Sequence, residues 1–185
     1  MKTSFDTAFE HTIGKEGNYA NNPNDLGGET MYGITKALAS RYGYVGDMRK
    51  LPLETAKYIY RHEFWDKMRL DDVAVLNELV AAEIFDTGVN MGNGIAIGFL
   101  QQALNAFNQR GSLYPDIKED QSIGPSTISA LRQFFAKRGA KGGQVLLKTL
   151  NSLQAARYIY LSQTRQANEE FVYGWIDNRV GMAAQ

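Results

Sequence analysis

The chain has 185 residues, 44% of them hydrophobic, enough for one substantial core or a compact pair of lobes. Lys plus Arg and Asp plus Glu number 20 each, and a net charge of zero argues against bulk nucleic-acid binding, which needs a strongly basic face. With no cysteine and two histidines, no disulfide framework, thiolate metal site or histidine-rich metal centre is expected, and no cofactor is implied.

The charges are nonetheless segregated. Between Arg69 and Arg110 the chain carries Asp71, Asp72, Glu78, Glu83 and Asp86 but no Lys or Arg. Between Gln121 and Asn168 it carries Arg132, Lys137, Arg138, Lys141, Lys148, Arg157 and Arg165 but no acid. Two solvated helical faces that attract each other explain this, and so does a basic patch for an anionic polymer. The first residues lack the apolar run of a signal peptide, and no stretch reaches the length of a membrane span. The expectation is a protein made in the cytoplasm that does not insert stably in a membrane and, for an external target, depends on separate delivery.

In chain order, Phe5, Phe9, Thr12 and Ile13 predict a helix over residues 4–15, with Thr3 or Ser4 as its cap. Residues 16–35 follow, crowded with Gly, Asn and Pro, and residues 29–34 suit a short strand. A helix is expected over residues 35–41, ended by Gly43. Pro52 suits the first turn of the next helix, which continues through Tyr58, Ile59 and Phe64. Asp71 and Asp72 suit the start of one long helix running to about Asn90.

Another apolar helix is expected from Ile95 through Leu100, Ala103, Leu104 and Phe107, ending at Gly111. Residues 112–121 read as a loop. Ile123-Gly124-Pro125 opens a helix closed by Gly139, and Lys141-Gly142-Gly143 reads as a turn. A last long helix shows Leu146, Leu150, Leu153 and Tyr160, and residues 170–180 form a packed terminal segment with Phe171, Trp175 and Val180. The fold class is mostly α with a small β element near residues 25–34.

Residues 16–35 hold the chemistry. Long irregular segments in compact domains are more often functional than idle. Glu16 falls at a helix C-terminus, where the dipole disfavours a carboxylate and raises its pKa. Asp25 sits among exposed polar turn residues and should stay ionised. Two carboxylates whose environments push their pKa values apart are what glycoside hydrolysis requires. Thr30 suits the hydroxyl that holds an attacking water. On pattern alone, surface acids in a turn region is the simpler reading.

The residues are more specific than the pattern. Glu16-Gly17-Asn18-Tyr19, Asn24-Asp25-Leu26-Gly27-Gly28-Glu29-Thr30 and Tyr32-Gly33-Ile34-Thr35 closely resemble the signature of the family 108 glycoside hydrolases. That signature has a Glu-Gly-Gly-Tyr start, an Asp-Pro-Gly-Gly-x-Thr centre and a Gly-Ile-Thr end. Asn18 and Leu26 depart from it in loop shape, not in the acids. Residues 82–92 resemble the family's second segment, and Asp120, Ile123-Gly124-Pro125, Thr127 and residues 171–179 resemble its peptidoglycan-binding region.

The resemblance implies a lysozyme-like α+β fold, with a catalytic lobe at residues 1–94 and a helical, peptidoglycan-binding lobe at 95–185. It implies an endolysin-type, inverting N-acetylmuramidase acting on peptidoglycan glycan strands as a monomer, without metal or cofactor. Glu16 would be the general acid, Asp25 its carboxylate partner and Thr30 the water-positioning residue. Tyr19, Tyr32, Asp86 and Asn90 are candidate substrate contacts; for the tyrosines core packing is an equal alternative, and for Asp86 and Asn90 a polar cluster at the helix end. Delivery would be by a holin-type route or a secretion system. A non-catalytic wall-binding or secretion-assisting module, and the same chemistry used as an interbacterial toxin, are the alternatives. Glu83, flanked by apolar residues, is expected to pair with a cation or backbone group, and His62 to be structural.

Overall fold

The computed structural model describes residues 2–13, 19–20 and 28–181. The chain divides into two units, Met1–Asp66 and Lys67–Gln185.

In the first unit, α1 spans Ser4–Thr12 and is closed at its start by a reciprocal capping box between Thr3 and Asp6. Its apolar face buries Phe5, Ala8 and Phe9. Phe5 meets Trp65 edge-on at 5.4 Å and Phe9 meets Tyr60 at 5.6 Å, while Asp6 pairs with Lys57 at 2.5 Å. The expected single strand is instead a hairpin, β1 at Thr30–Met31 and β2 at Ile34–Thr35. The chain reverses at Tyr32 and Gly33, whose φ of 52° and 74° are the paired positive values of a type I′ turn. Gly33 is required twice over, because a Cβ there would lie 2.7 Å from the Tyr60 hydroxyl.

Thr35 then caps α2, Lys36–Arg41, by accepting from the Leu38 N–H. A 3₁₀ turn, Met48–Lys50, leads to α3 at Leu53–Tyr60, which Pro52 caps. The helix expected to run on through Phe64 does so with π winding over Arg61–Asp66. Wider winding brings residues five apart into register, and Arg61 pairs with Asp66 at 2.7 Å. His62 has the expected structural role, donating through Nδ1–H to the Tyr58 carbonyl and lying against the Tyr58 ring.

In the second unit the long helix expected up to Asn90 is two helices, α4 at Leu70–Ala74 and α5 at Glu78–Met91. Asn77 breaks it. Its backbone is extended and its side chain accepts the Val80 N–H, so it starts a new helix. Gly92 alone separates α5 from α6, Asn93–Phe107, at a φ of 94° that favours glycine. Residues 112–121 form the expected loop, pinned by Gln101. Its amide donates to Asp120, Ser122 and Thr127 and its carbonyl accepts the Gln121 N–H.

Pro125 opens α7, Pro125–Thr164, which bends at Gly139. The expected turn at Lys141-Gly142-Gly143 is helical. Its glycines are buried, and a Cβ on Gly143 would meet the Asn77 amide at 2.6 Å, so they serve close packing. The core is built by Val80, Ile84 and Phe85 of α5, Ile97, Leu100 and Leu104 of α6, and Leu131, Phe134, Leu146 and Leu150 of α7. Tyr160, expected on the buried stripe, is exposed, because it lies about 200° around the helix from buried Tyr158. The chain ends in α8, Glu169–Arg179, where Trp175 packs on Tyr158 at 5.3 Å and stacks with Phe171. The fold is mostly α and lysozyme-like, with one small antiparallel sheet.

At Gly139 φ is 56° and ψ −151°, a region reached essentially by glycine alone, and nothing lies within 4 Å of a Cβ built there. Gly139→Ala therefore costs stability through backbone strain only, by about 1–3 kcal/mol. Urea denaturation of the two proteins measures it, and an unchanged midpoint would contradict the bend.

Candidate active site

The hairpin is built into a larger neck. Thr30 donates its N–H to the Ala20 carbonyl at 2.8 Å and accepts the Ala20 N–H at 3.0 Å. Both backbone groups of Thr30 point to Ala20, so Thr30 and Thr35 form a non-hydrogen-bonded pair whose side chains approach closely. Strand alternation puts the side chains of Ala20, Thr30 and Thr35 on one face and that of buried Ile34 on the other. Ala20 is exposed and Thr30 half-buried. The Thr30 hydroxyl has no hydrogen-bond partner among the described residues. The Thr30 backbone is paired on both sides, with Ala20 and with Thr35.

In sequence, Asp25 lies between the two bridge partners, Ala20 and Thr30. Glu16 and Asp25 themselves fall outside the described residues. Tyr19 is half-buried. Its hydroxyl donates to Glu29 at 2.8 Å, and the Arg49 guanidinium covers one ring face at 4.7 Å. Tyr32 is half-buried at the hairpin turn, its carbonyl accepting the Tyr60 hydroxyl at 2.9 Å. Glu29 also pairs with Lys36 at 2.9 Å. Hydrogen bonds from Lys36 and Tyr19 hold its carboxyl below the usual range, so it is ionised at neutral pH and is not a general acid. Sequence reasoning assigned Glu29 no role, although it directly precedes Thr30.

The other two candidates sit in the second unit. Asp86 is 4% exposed. One carboxylate oxygen pairs with Arg179 of α8 at 3.2 Å, and the other accepts the Gln154 amide of α7 at 3.0 Å. Exposed Asn90, one turn on, donates to the Asp86 carbonyl and carboxylate. Asp86 thus anchors a buried polar network, and neither Gln154 nor Arg179 was flagged by any spacing in the sequence. Glu83 lies one turn before Asp86 and is 1% exposed. Neither expected partner, cation or backbone group, is found among the described residues, and Oε1 has no hydrogen-bond partner there. Burial first, and the charge of Asp86 second, push its pKa up to about 8. At neutral pH Glu83 is a neutral acid. Among the described residues no group of His, Asp or Glu is arranged to hold a metal.

The fold belongs to the lysozyme-like class. Residues 9–92 match the family model described as glycosyl hydrolase 108, and residues 95–180 match that of a predicted peptidoglycan domain. The first part of the chain is thus similar to glycosyl hydrolase 108 and the second to a peptidoglycan domain, and the pair supports a peptidoglycan hydrolase. Among solved structures it is similar to that of Brucella abortus SagA, with a TM-score of 0.71 and 25% identity over 98% of this chain and 92% of that one. No curated protein matches it.

The Glu83 proton sets a pH dependence. Its pKa rises from 4.5 to about 8 on folding, so the native state binds an extra proton between those values. The stability it contributes is complete below the lower value and is lost as pH climbs through about 8, by about 1.4 kcal/mol for each pH unit crossed. Glu83→Gln keeps the shape and cannot ionise. Between about pH 5 and about pH 9 its urea midpoint should fall less than that of the wild type. Parallel pH curves would show that Glu83 is not the titrating group.

Proposed function

We propose that the chain is an N-acetylmuramidase that hydrolyses the β-1,4 bond between N-acetylmuramic acid and N-acetylglucosamine, with inversion. The observation that carries this is the family 108 match over residues 9–92, the part of the chain that holds Glu16, Asp25 and Thr30. Glu16 protonates the leaving glycosidic oxygen. Asp25 stays ionised and, with the Thr30 hydroxyl, orients the water that attacks the opposite face of the sugar. The backbone pairing of Thr30 with Ala20 and Thr35, and a hydroxyl without a hydrogen-bond partner among the described residues, support the water-holding role.

Tyr32 and Tyr19 offer rings for the apolar faces of sugars. Asn90 offers an exposed amide, with Asp86 fixing it from below. The peptidoglycan domain supports action on the cell wall by prolonging contact with the polymer.

Glu16→Gln should lower the release of reducing ends from purified peptidoglycan by ~10²–10⁴-fold with the fold intact. Asp25→Asn should be similarly severe, and Thr30→Ala comparable or milder. After borohydride reduction, mass spectrometry of the digest should find reduced muramic acid. Reduced glucosamine ends would indicate a glucosaminidase, and anhydro-muramic ends a lytic transglycosylase. Proton NMR of the first product formed should show the α-anomer; the β-anomer would mean retention and a covalent intermediate.

A further inference from the structure

Glu29 takes no part in the chemistry proposed above, and the family pattern leaves its position open. Its contacts are nonetheless the densest in the neck. One carboxylate oxygen accepts the Tyr19 hydroxyl at 2.8 Å and the other accepts the Lys36 ammonium at 2.9 Å. Its carbonyl accepts the Lys36 N–H at 3.0 Å. From the 3₁₀ turn, Arg49 closes over the ring of Tyr19. Tyr19 and Glu29 each precede a member of the Ala20–Thr30 bridge, so strand alternation sets this clamp on the face opposite the Thr30 hydroxyl.

We propose that Glu29 is a positioning residue for glycan hydrolysis: by holding Tyr19 and Lys36 it fixes the base of the segment that carries Asp25 and the aim of Thr30. This rests on the assignment of Glu16, Asp25 and Thr30 as the reacting groups. The physical need is clear. A lone bridge of two backbone hydrogen bonds is weak, and closing residues 20–30 costs chain entropy. In sequence Glu16 is three residues before Tyr19 and Asp25 lies between Ala20 and Thr30, so the neck is the described backbone next to all three proposed groups. The lowered pKa of Glu29 keeps it a permanent acceptor. Global stability depends on other residues, because the core of this unit is Phe5, Phe9, Ile59, Tyr60 and Trp65, and exposed ion pairs add little. Loss of the clamp should therefore disturb catalysis more than folding.

The test compares Glu29→Ala, Glu29→Gln, Tyr19→Phe and the Glu29→Ala/Tyr19→Phe pair with the wild type and with Glu16→Gln. Initial rates of reducing-end release are followed across peptidoglycan concentrations, alongside thermal melting by circular dichroism. Glu29→Ala and Tyr19→Phe should each lower kcat about tenfold to about 100-fold, with KM within about twofold and melting unchanged. The double variant should be no worse than the worse single, since both break one clamp. Glu29→Gln, which still accepts from Tyr19, should regain part of the loss. The proposal is overturned by kcat within about twofold of wild type in Glu29→Ala, by multiplicative losses in the double variant, or by activity that falls only as melting falls. An inactive Glu16→Gln beside a fully active Glu29→Ala removes the positioning role alone. An active Glu16→Gln removes the catalytic assignment and this inference with it.

Discussion

The pairing of Ala20 with Thr30 is the constraint on which the chemistry proposed for the first unit depends. Two backbone hydrogen bonds join residues that the sequence sets ten positions apart. The β hairpin then adds a third strand edge through Thr30 and Thr35, and Thr35 passes the constraint on by capping α2. Gly33 makes the reversal possible, and Tyr60 of α3 holds it down through the Tyr32 carbonyl. The small sheet thus ties Ala20 to helices that have a core.

The second unit is governed by a different physics. Asp86 is charged and buried, which is tolerable only because Arg179 and Gln154 supply a cation and a donor. A second carboxylate one turn away cannot also ionise at neutral pH, and Glu83 keeps its proton. Tyr158, packed beside them, has its own pKa raised by burial and by the acids. The network joins α5, α7 and α8, three elements far apart in the sequence.

Much of this was legible from local chemistry. Thr3, Pro52, Pro125, Gly43 and Gly92 mark helix ends because capping and positive φ are properties of one or two residues. The Tyr32-Gly33-Ile34-Thr35 motif could be recognised, but its turn type follows only from the pairing of both its flanks. Asn77 was overlooked because one polar residue does not interrupt an apolar stripe on paper. Gly142 and Gly143 were misread for the opposite reason, since their glycines answer a neighbour, not a turn. The proton on Glu83 and the pairing of Asp86 with Arg179 are long-range effects that no spacing encodes. Of the candidate site, the motif gave the residues and the fold gave the neck that holds Thr30.

The single-residue joint at Gly92 has a practical corollary. The two family matches meet there, between residues 92 and 95, yet α5 and α6 on either side share one continuous core with α7. The border drawn by homology is thus not a border of cohesion. A chimera cut at this joint would strip apolar helix faces of their cover and part Asp86 from Arg179. Grafting a different wall-recognition half onto this hydrolase would call for an exchange of the whole run from residue 67 onward, or for redesigned packing on both sides of the seam.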